Sequence, residues 1–220
     1  MTEKVYINTE YIRHFFDGLN NSGVVYALLK NIGDELPDCL ISGKDIDIIV
    51  HPESMPFFHK YMKKIARKVI HPYGYEHGWR KIYGLEEFEF WRLKTADDIY
   101  IDVTEKLCCQ SLMPKIWIPL DNNIQEAVWR NRLFDEKNNW WRMDDNVLYV
   151  YLVVRCVFDK KKFSDVYRKE IEILRPNIDK DVVMSYFKLV FFNFTTMLCG
   201  LLNTKEYDRI IPSYMKFKDY

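Results

Sequence analysis

The chain has 220 residues, 48% of them hydrophobic and 16% aromatic, which supplies core for one large domain or two small ones and excludes an intrinsically disordered chain. Its 32 Lys and Arg residues balance 32 Asp and Glu residues. A formal net charge of zero argues against a nucleic-acid partner, whose backbone is usually met by a basic surface, and suits a small phosphate-bearing substrate.

Met1-Thr2-Glu3-Lys4 carries no signal-peptide architecture, which predicts a cytoplasmic protein. Thr9–Leu19 reads as the first helix, with Thr9 as its cap and Tyr11, Ile12, Phe15, Phe16 and Leu19 as an apolar stripe. Asn20-Asn21-Ser22-Gly23 ends it, and Val24–Leu29 follows as a short buried strand. Lys30–Gly43 is a loop that puts Lys30 and Asn31 at one end of the sheet.

The next strand holds the chemistry: Ser42-Gly43-Lys44-Asp45-Ile46-Asp47-Ile48-Ile49-Val50. Residues i and i+2 of a strand share a face, so Asp45 and Asp47 project together while Ile46 and Ile48 face a core. Two carboxylates side by side repel unless neutralised. A D-x-D can be a strand end dipping into solvent, but a second acidic strand, Asp98-Ile99-Tyr100-Ile101-Asp102-Val103, follows downstream. Three carboxylates on neighbouring strands suit a divalent cation and phosphoryl or nucleotidyl transfer. Alternation puts Asp98, Tyr100 and Asp102 on one face; Asp102, inside the apolar run, is the preferred third carboxylate, with Asp98 still admissible.

Glu53–Arg67 reads as a helix with a basic outer face, and residues 69–107 as β-rich, including strands over Lys81–Leu85 and Glu87–Leu93. Residues beyond Leu107 read as an irregular connection with Pro114, Pro119 and Asp121-Asn122-Asn123. Then come a buried helix over Val147–Phe158 capped by Asp144 or Asp145, an amphipathic helix over Phe163–Leu174, and one or two helices over Asp179–Leu202. That last stretch is interrupted by Lys188, Asn193, Thr195 and Thr196, so a buried helix is expected there rather than a membrane span. A short helix and a loose end close the chain. The expected division is an α/β domain over 1–110, then a connection and helical domain over 111–220.

Strand, loop, the Asp45/Asp47 strand, helix and a later strand with Asp102 together resemble the polymerase-β-type nucleotidyltransferase superfamily. The resemblance covers roughly Val24 to Val103. Within it, Tyr26–Asn31, Leu36-Pro37 and Lys44–Val50 are similar to a divergent bacterial branch associated with surface-polysaccharide biosynthesis. The resemblance implies an α+β fold: a small mixed β-sheet with flanking helices, followed by a mainly helical C-terminal part. It implies that Asp45, Asp47 and Asp102 are catalytic and bind Mg²⁺ (or Mn²⁺), with Asp102 completing the metal site or taking the acceptor proton. It also implies a nucleoside triphosphate or related phosphate donor and a small-molecule or sugar acceptor. The alternative is an inactive nucleotide- or partner-binding module of the same fold.

One departure matters. Lys30-Asn31 stands where the superfamily carries Gly-Ser or Gly-Gly, so the phosphate grip falls to Lys30, or to Ser42 and Gly43 beside the aspartates. Asn31, Lys44, Arg80 and Lys81 are further substrate-binding candidates, and Trp140-Trp141 a candidate acceptor-pocket wall. Cys39, Cys108, Cys109, Cys156 and Cys199, odd in number and without C-x-x-C spacing, read as reduced thiols. No H-x-x-x-H, H-E-x-x-H, G-x-S-x-G, Walker A or G-x-G-x-x-G pattern is present.

Overall fold

The structure, a computed structural model, describes residues 5–70, 79–82, 87–111 and 116–219, with the backbone alone over strand residues 67–70, 79–82 and 87–91. It is an α+β fold in which a mixed sheet is flanked by helices and followed by a helical C-terminal part.

Helix α1 (Thr9–Asn21) forms where the apolar stripe predicts it and buries Ile12, Phe15, Phe16 and Leu19. Its cap is Asn8 rather than Thr9. The Asn8 side chain accepts from the Glu10 N–H at 2.9 Å, while the Thr9 hydroxyl donates to Asp38. Strands β1 (Tyr26–Leu28) and β2 (Asp45–Val50) pair antiparallel. Helix α2 (Met55–Ile65) and strand β3 (Ala66–Ile70) follow, then β4 (Trp79–Ile82), β5 (Glu87–Thr95) and β6 (Tyr100–Thr104).

Residues 108–142 differ from the irregular connection that Pro114, Pro119 and the Asp-Asn-Asn run suggest. They hold β7 (Cys108–Gln110), β8 (Ile116–Pro119), α3 (Asn122–Asn131), β9 (Leu133–Asp135) and β10 (Trp140–Arg142). These strands are three or four residues long, too short to show a period. They are held by the sheet they join, whose order among the described residues is β7-β8-β4-β5-β6-β2-β1-β10-β9, with β3 also against β5. The β2–β6, β1–β10 and β4–β8 pairs are parallel.

The helical part opens with α4 (Asp145–Val154), capped by Asp144, whose carboxylate accepts from the Val147 N–H at 3.0 Å. A π-helical turn, Arg155–Asp159, continues it. Then come α5 (Asp165–Leu174), α6 (Lys180–Phe191), α7 (Thr195–Asn203) and α8 (Tyr207–Lys216). Lys180–Asn203 is long and apolar enough, by length and composition, to cross a membrane. It is broken at Phe192 (φ +49°), and Val183, Phe187, Phe191, Phe194 and Leu198 pack into the helical core.

The sheet separates two cores, and strand alternation decides which residue enters which. Tyr26, Leu28, Ile46, Ile48, Val50, Ile101 and Val103 pack with α1 and α2. Ala27, Leu29 and Ile49 face the other way, into the core built by the helical part. Asp45 and Asp47 share a face with Ile49, so they point toward the helical layer. Trp140, 2% exposed, joins α1, β1 and β10: its ring lies 4.9 Å from Phe16, which stacks at 5.9 Å on Tyr26. Trp141, under Arg132 at 4.0 Å, packs against the edge of the same core but lines a different cavity, so the two tryptophans do not share one pocket. Trp140→Ala should lower unfolding stability by about 3–5 kcal/mol, the usual cost of emptying a large aromatic site. Urea denaturation measures this, and a loss under about 1 kcal/mol would show that Trp140 is not a keystone of that core.

Candidate functional site

Register assembles the site. In the parallel β2–β6 pair Asp47 lies opposite Asp102 and Asp45 opposite Tyr100; in the antiparallel β5–β6 pair Arg92 lies opposite Asp102. Adjacent strands are about 4.8 Å apart, so Asp47, Asp102 and Arg92 form one row across three strands. One carboxylate oxygen each from Asp45, Asp47 and Asp102 lies within 4.8 Å of the others. Asp98, by contrast, sits in the turn before β6 at φ +62°, 3.0 Å from Lys94, and is not part of the cluster.

Three carboxylates this close oppose each other's ionisation. Lys30, at the end of β1, is ion-paired to Asp47. Arg92 lies 3.8 Å from Asp45 and 3.6 Å from Asp102. Burial pushes the Asp102 carboxyl up to about 8, aided by its hydrogen bond to Asp45 and the charges of Asp47 and Asp45. Asp45 moves the other way: burial opposes its ionisation, but the hydrogen bond with Asp102 and the Lys30 and Arg92 cations outweigh it and lower its pKa. The two carboxyls are thus pushed in opposite directions, Asp102 toward its protonated form and Asp45 toward its ionised form. The Oδ1 of Asp102 is buried without a hydrogen-bond partner. An orphaned buried oxygen in a convergent all-carboxylate set fits a hard divalent cation.

The carboxylates open into a cavity of about 200 Å³ between the sheet and the helical part. Lys30, Asp45, Asp47, Arg92 and Asp102 line the sheet wall; Tyr151, Arg155, Asp159 and Lys160 line the helical wall. Arg155 donates to the Tyr151 hydroxyl at 3.4 Å and sits 3.6 Å from Asp159. Sequence reasoning missed Arg92, Arg155 and Lys160. Arg92 reads as one member of an alternating, half-exposed strand, and its register against Asp102 is not written in the sequence. Arg155 did leave a signal: a cation inside the otherwise apolar run Val147–Phe158 is costly to bury without a purpose.

The other expected residues scatter. The Asn31 amide closes the loop on itself, donating to the Leu36 carbonyl and accepting from the Leu36 N–H. Ser42 and Gly43 (φ +90°) form the exposed turn entering β2 and do not line the cavity. Lys44 is ion-paired to Glu35. Arg80 and Lys81 lie in β4, two strands from β6; their side chains fall outside the described residues. Lys30 also lines a second cavity of about 480 Å³, with Asn31, Trp140, Arg142, Asp145 and Glu170 among its walls. Burial raises the Glu170 pKa there, although the carboxylate accepts from the Gly33 N–H.

No protein-family profile matches the chain, and no curated protein sequence does. Among solved structures, the solution structure of the antibiotic-resistance factor ANT(2'')-Ia aligns over 90% of this chain and 96% of its own, at 8% identity and a TM-score of 0.49. An antigenic nucleotidyltransferase-like protein from Paracoccidioides brasiliensis aligns over 93% and 91%, at 7% identity and a TM-score of 0.45.

Asp102 makes stability depend on pH with a definite sign. Its folded pKa, about 8, lies above the ordinary 3.8, so in the acid-to-neutral range the unfolded chain releases a proton that the folded chain keeps. Its contribution to stability therefore falls as pH rises from about 4 and is fully lost above about 8. In chelator, Asp102→Asn should be more stable than wild type by an amount that grows, to a few kcal/mol, between pH 5 and pH 8. A difference that is flat across that range contradicts the placement of the proton.

Proposed function

We propose that the chain is a metal-dependent nucleotidyltransferase, moving a nucleotidyl or phosphoryl group from a nucleoside triphosphate or related donor to a hydroxyl of a small molecule or sugar. The observation that carries this reading is the convergence of Asp45, Asp47 and Asp102, with its orphaned buried oxygen, beside a cavity that also holds Lys30, Arg92, Arg155 and Lys160. Asp45, Asp47 and Asp102 would hold the cation, for which oxygen-only ligation favours Mg²⁺ or Mn²⁺. Such an ion, when bound, neutralises charge on the donor phosphates and keeps donor and acceptor in line.

The chain's own residues supply the rest. Lys30 lines both cavities, so it stands between donor phosphates on the carboxylate side and an acceptor in the larger cavity beyond. That larger cavity, about 480 Å³, has room for a sugar-sized molecule and offers the Asp145 and Glu170 carboxylates as hydrogen-bonding partners for hydroxyl groups. Fixing both molecules on rigid strands supplies orientation, a large share of the rate in phosphoryl transfer. Nucleoside triphosphates are cytoplasmic metabolites, consistent with a cytoplasmic enzyme. A setting in surface-polysaccharide biosynthesis rests on the sequence resemblance alone.

A second reading has its own observation. Lys30 and Arg92 already neutralise the carboxylates, so the site is electrostatically tolerable without turnover, as in an inactive binding module. Calorimetric titration separates the cases when run with Mg²⁺ or Mn²⁺ and each of ATP, CTP, GTP and UTP, on wild type and an Asp45→Asn/Asp47→Asn variant. Metal-dependent binding of one nucleotide, lost in the variant, is the expected result. No nucleotide binding by folded protein overturns the proposal, and binding without any labelled product across hydroxyl acceptors favours the inactive module.

A further inference from the structure

We propose that Arg155 and Lys160 form a clamp for the terminal phosphates of a polyphosphate donor, presented by the helical part across the cavity from the carboxylate row. The proposal deepens the nucleotidyltransferase reading and rests on it for the identity of the donor.

The local backbone is the first observation. Residues five apart on an α-helix lie about 140° apart around the axis and do not share a side. Here the helix changes to a π-turn over Arg155–Asp159, and the Lys160 N–H bonds back to the Arg155 carbonyl at 2.8 Å. The longer turn brings residue 160 back toward the side occupied by residue 155, and both line the same cavity. Such turns cost helix regularity and are frequent at functional sites.

The second observation is unspent donor capacity. The Arg155 guanidinium carries five N–H donors, yet its Nε is buried without a hydrogen-bond partner. Asp159, its nearest carboxylate at 3.6 Å, accepts from the Gln110 N–H at 2.7 Å with its other oxygen. Tyr151 receives only a long bond. Lys160 is exposed, lines the cavity and makes no ion pair with any described residue. Burial and the nearby Arg155 and Lys30 charges lower its pKa, outweighing the Asp159 and Asp47 carboxylates that act the other way. A bound anion would use the donor capacity that Asp159 leaves on Arg155 and the unpaired charge of Lys160. A planar guanidinium and a compact ammonium side by side match a phosphate, one by paired hydrogen bonds and the other as a point charge. A single phosphate at the carboxylate row leaves the opposite wall unmatched; a chain of phosphates reaches both.

Calorimetry on the intact protein tests this with two probes: inorganic tripolyphosphate without metal, and the nucleoside tri- and monophosphate pair with Mn²⁺. Variants are Lys160→Ala, an exposed change that leaves the core alone, and Arg155→Lys, which keeps the buried charge but not the fork. The expected result is triphosphate and tripolyphosphate binding about tenfold to a hundredfold weaker in each variant, with monophosphate binding within about twofold of wild type. If both variants bind triphosphate as tightly as wild type, the clamp is overturned and the transferase reading stands. If tripolyphosphate binds and is lost on substitution while no nucleotide binds, the clamp stands and the nucleotide reading falls. Binding of neither probe by wild type removes both.

Discussion

The alternation of β2 is the constraint on which the site depends. Ile46 and Ile48, at most 1% exposed, are locked against α1 and α2, and each contributes about 1.5–3 kcal/mol by leaving water. A slip of one residue would send Asp45 and Asp47 into that core and turn the isoleucines out. The apolar face therefore holds the acidic face in place, although the acidic face repels itself. On β6 the same arrangement recurs: Ile101 and Val103 are buried on the α1/α2 side, which leaves Asp102 beside Asp47. The raised pKa of Asp102 is the electrostatic consequence of a register fixed by hydrophobic burial elsewhere.

This explains which parts were legible in the sequence. A period of two needs only one strand, so the shared face of Asp45 and Asp47 could be read from Asp45–Val50 alone. The carboxylate of Asp102 stood out against the apolar residues around it. What brings Arg92 to the same row is a pairing between strands, and a pairing has no signature in either strand separately. The strands of residues 108–142 are too short for periodicity and are stabilised by tertiary contact with the sheet. The cap of α1 shows the limit at a single position: Asn8 and Thr9 are both capping residues, and the choice turned on Asp38, 29 residues away, taking the Thr9 hydroxyl.

The helical part is half of the site as well as its cover. Alternation aims the carboxylates at it, and the π-turn returns two cations toward them. The resemblance read from the sequence carries no Gly-Ser or Gly-Gly segment here and leaves a phosphate grip to side chains. In the structure, Asn31 is occupied in closing its loop and Lys30 in neutralising Asp47. Side-chain cations line both walls of the cavity, and on the proposed reading they would meet the anion instead of backbone N–H groups.

The resulting charge balance has a consequence for how ligands enter. Asp45, Asp47, Asp102 and Asp159 face Lys30, Arg92, Arg155 and Lys160 in one cavity, so acidic and basic groups are matched in number there. A divalent cation arriving alone must compete with Lys30 and Arg92 for the carboxylates. A polyphosphate arriving alone meets those carboxylates as repelling neighbours. On the proposed reading the two together would remove both penalties: the carboxylates would hold the ion in place of Lys30 and Arg92, and the freed side chains would be available to phosphate oxygens. Favourable coupling of this kind makes each ligand raise the affinity for the other by the same factor. On that reading a site near neutrality would bind tripolyphosphate alone but the metal–polyphosphate complex more tightly, a preference that a purely acidic or purely basic cavity lacks.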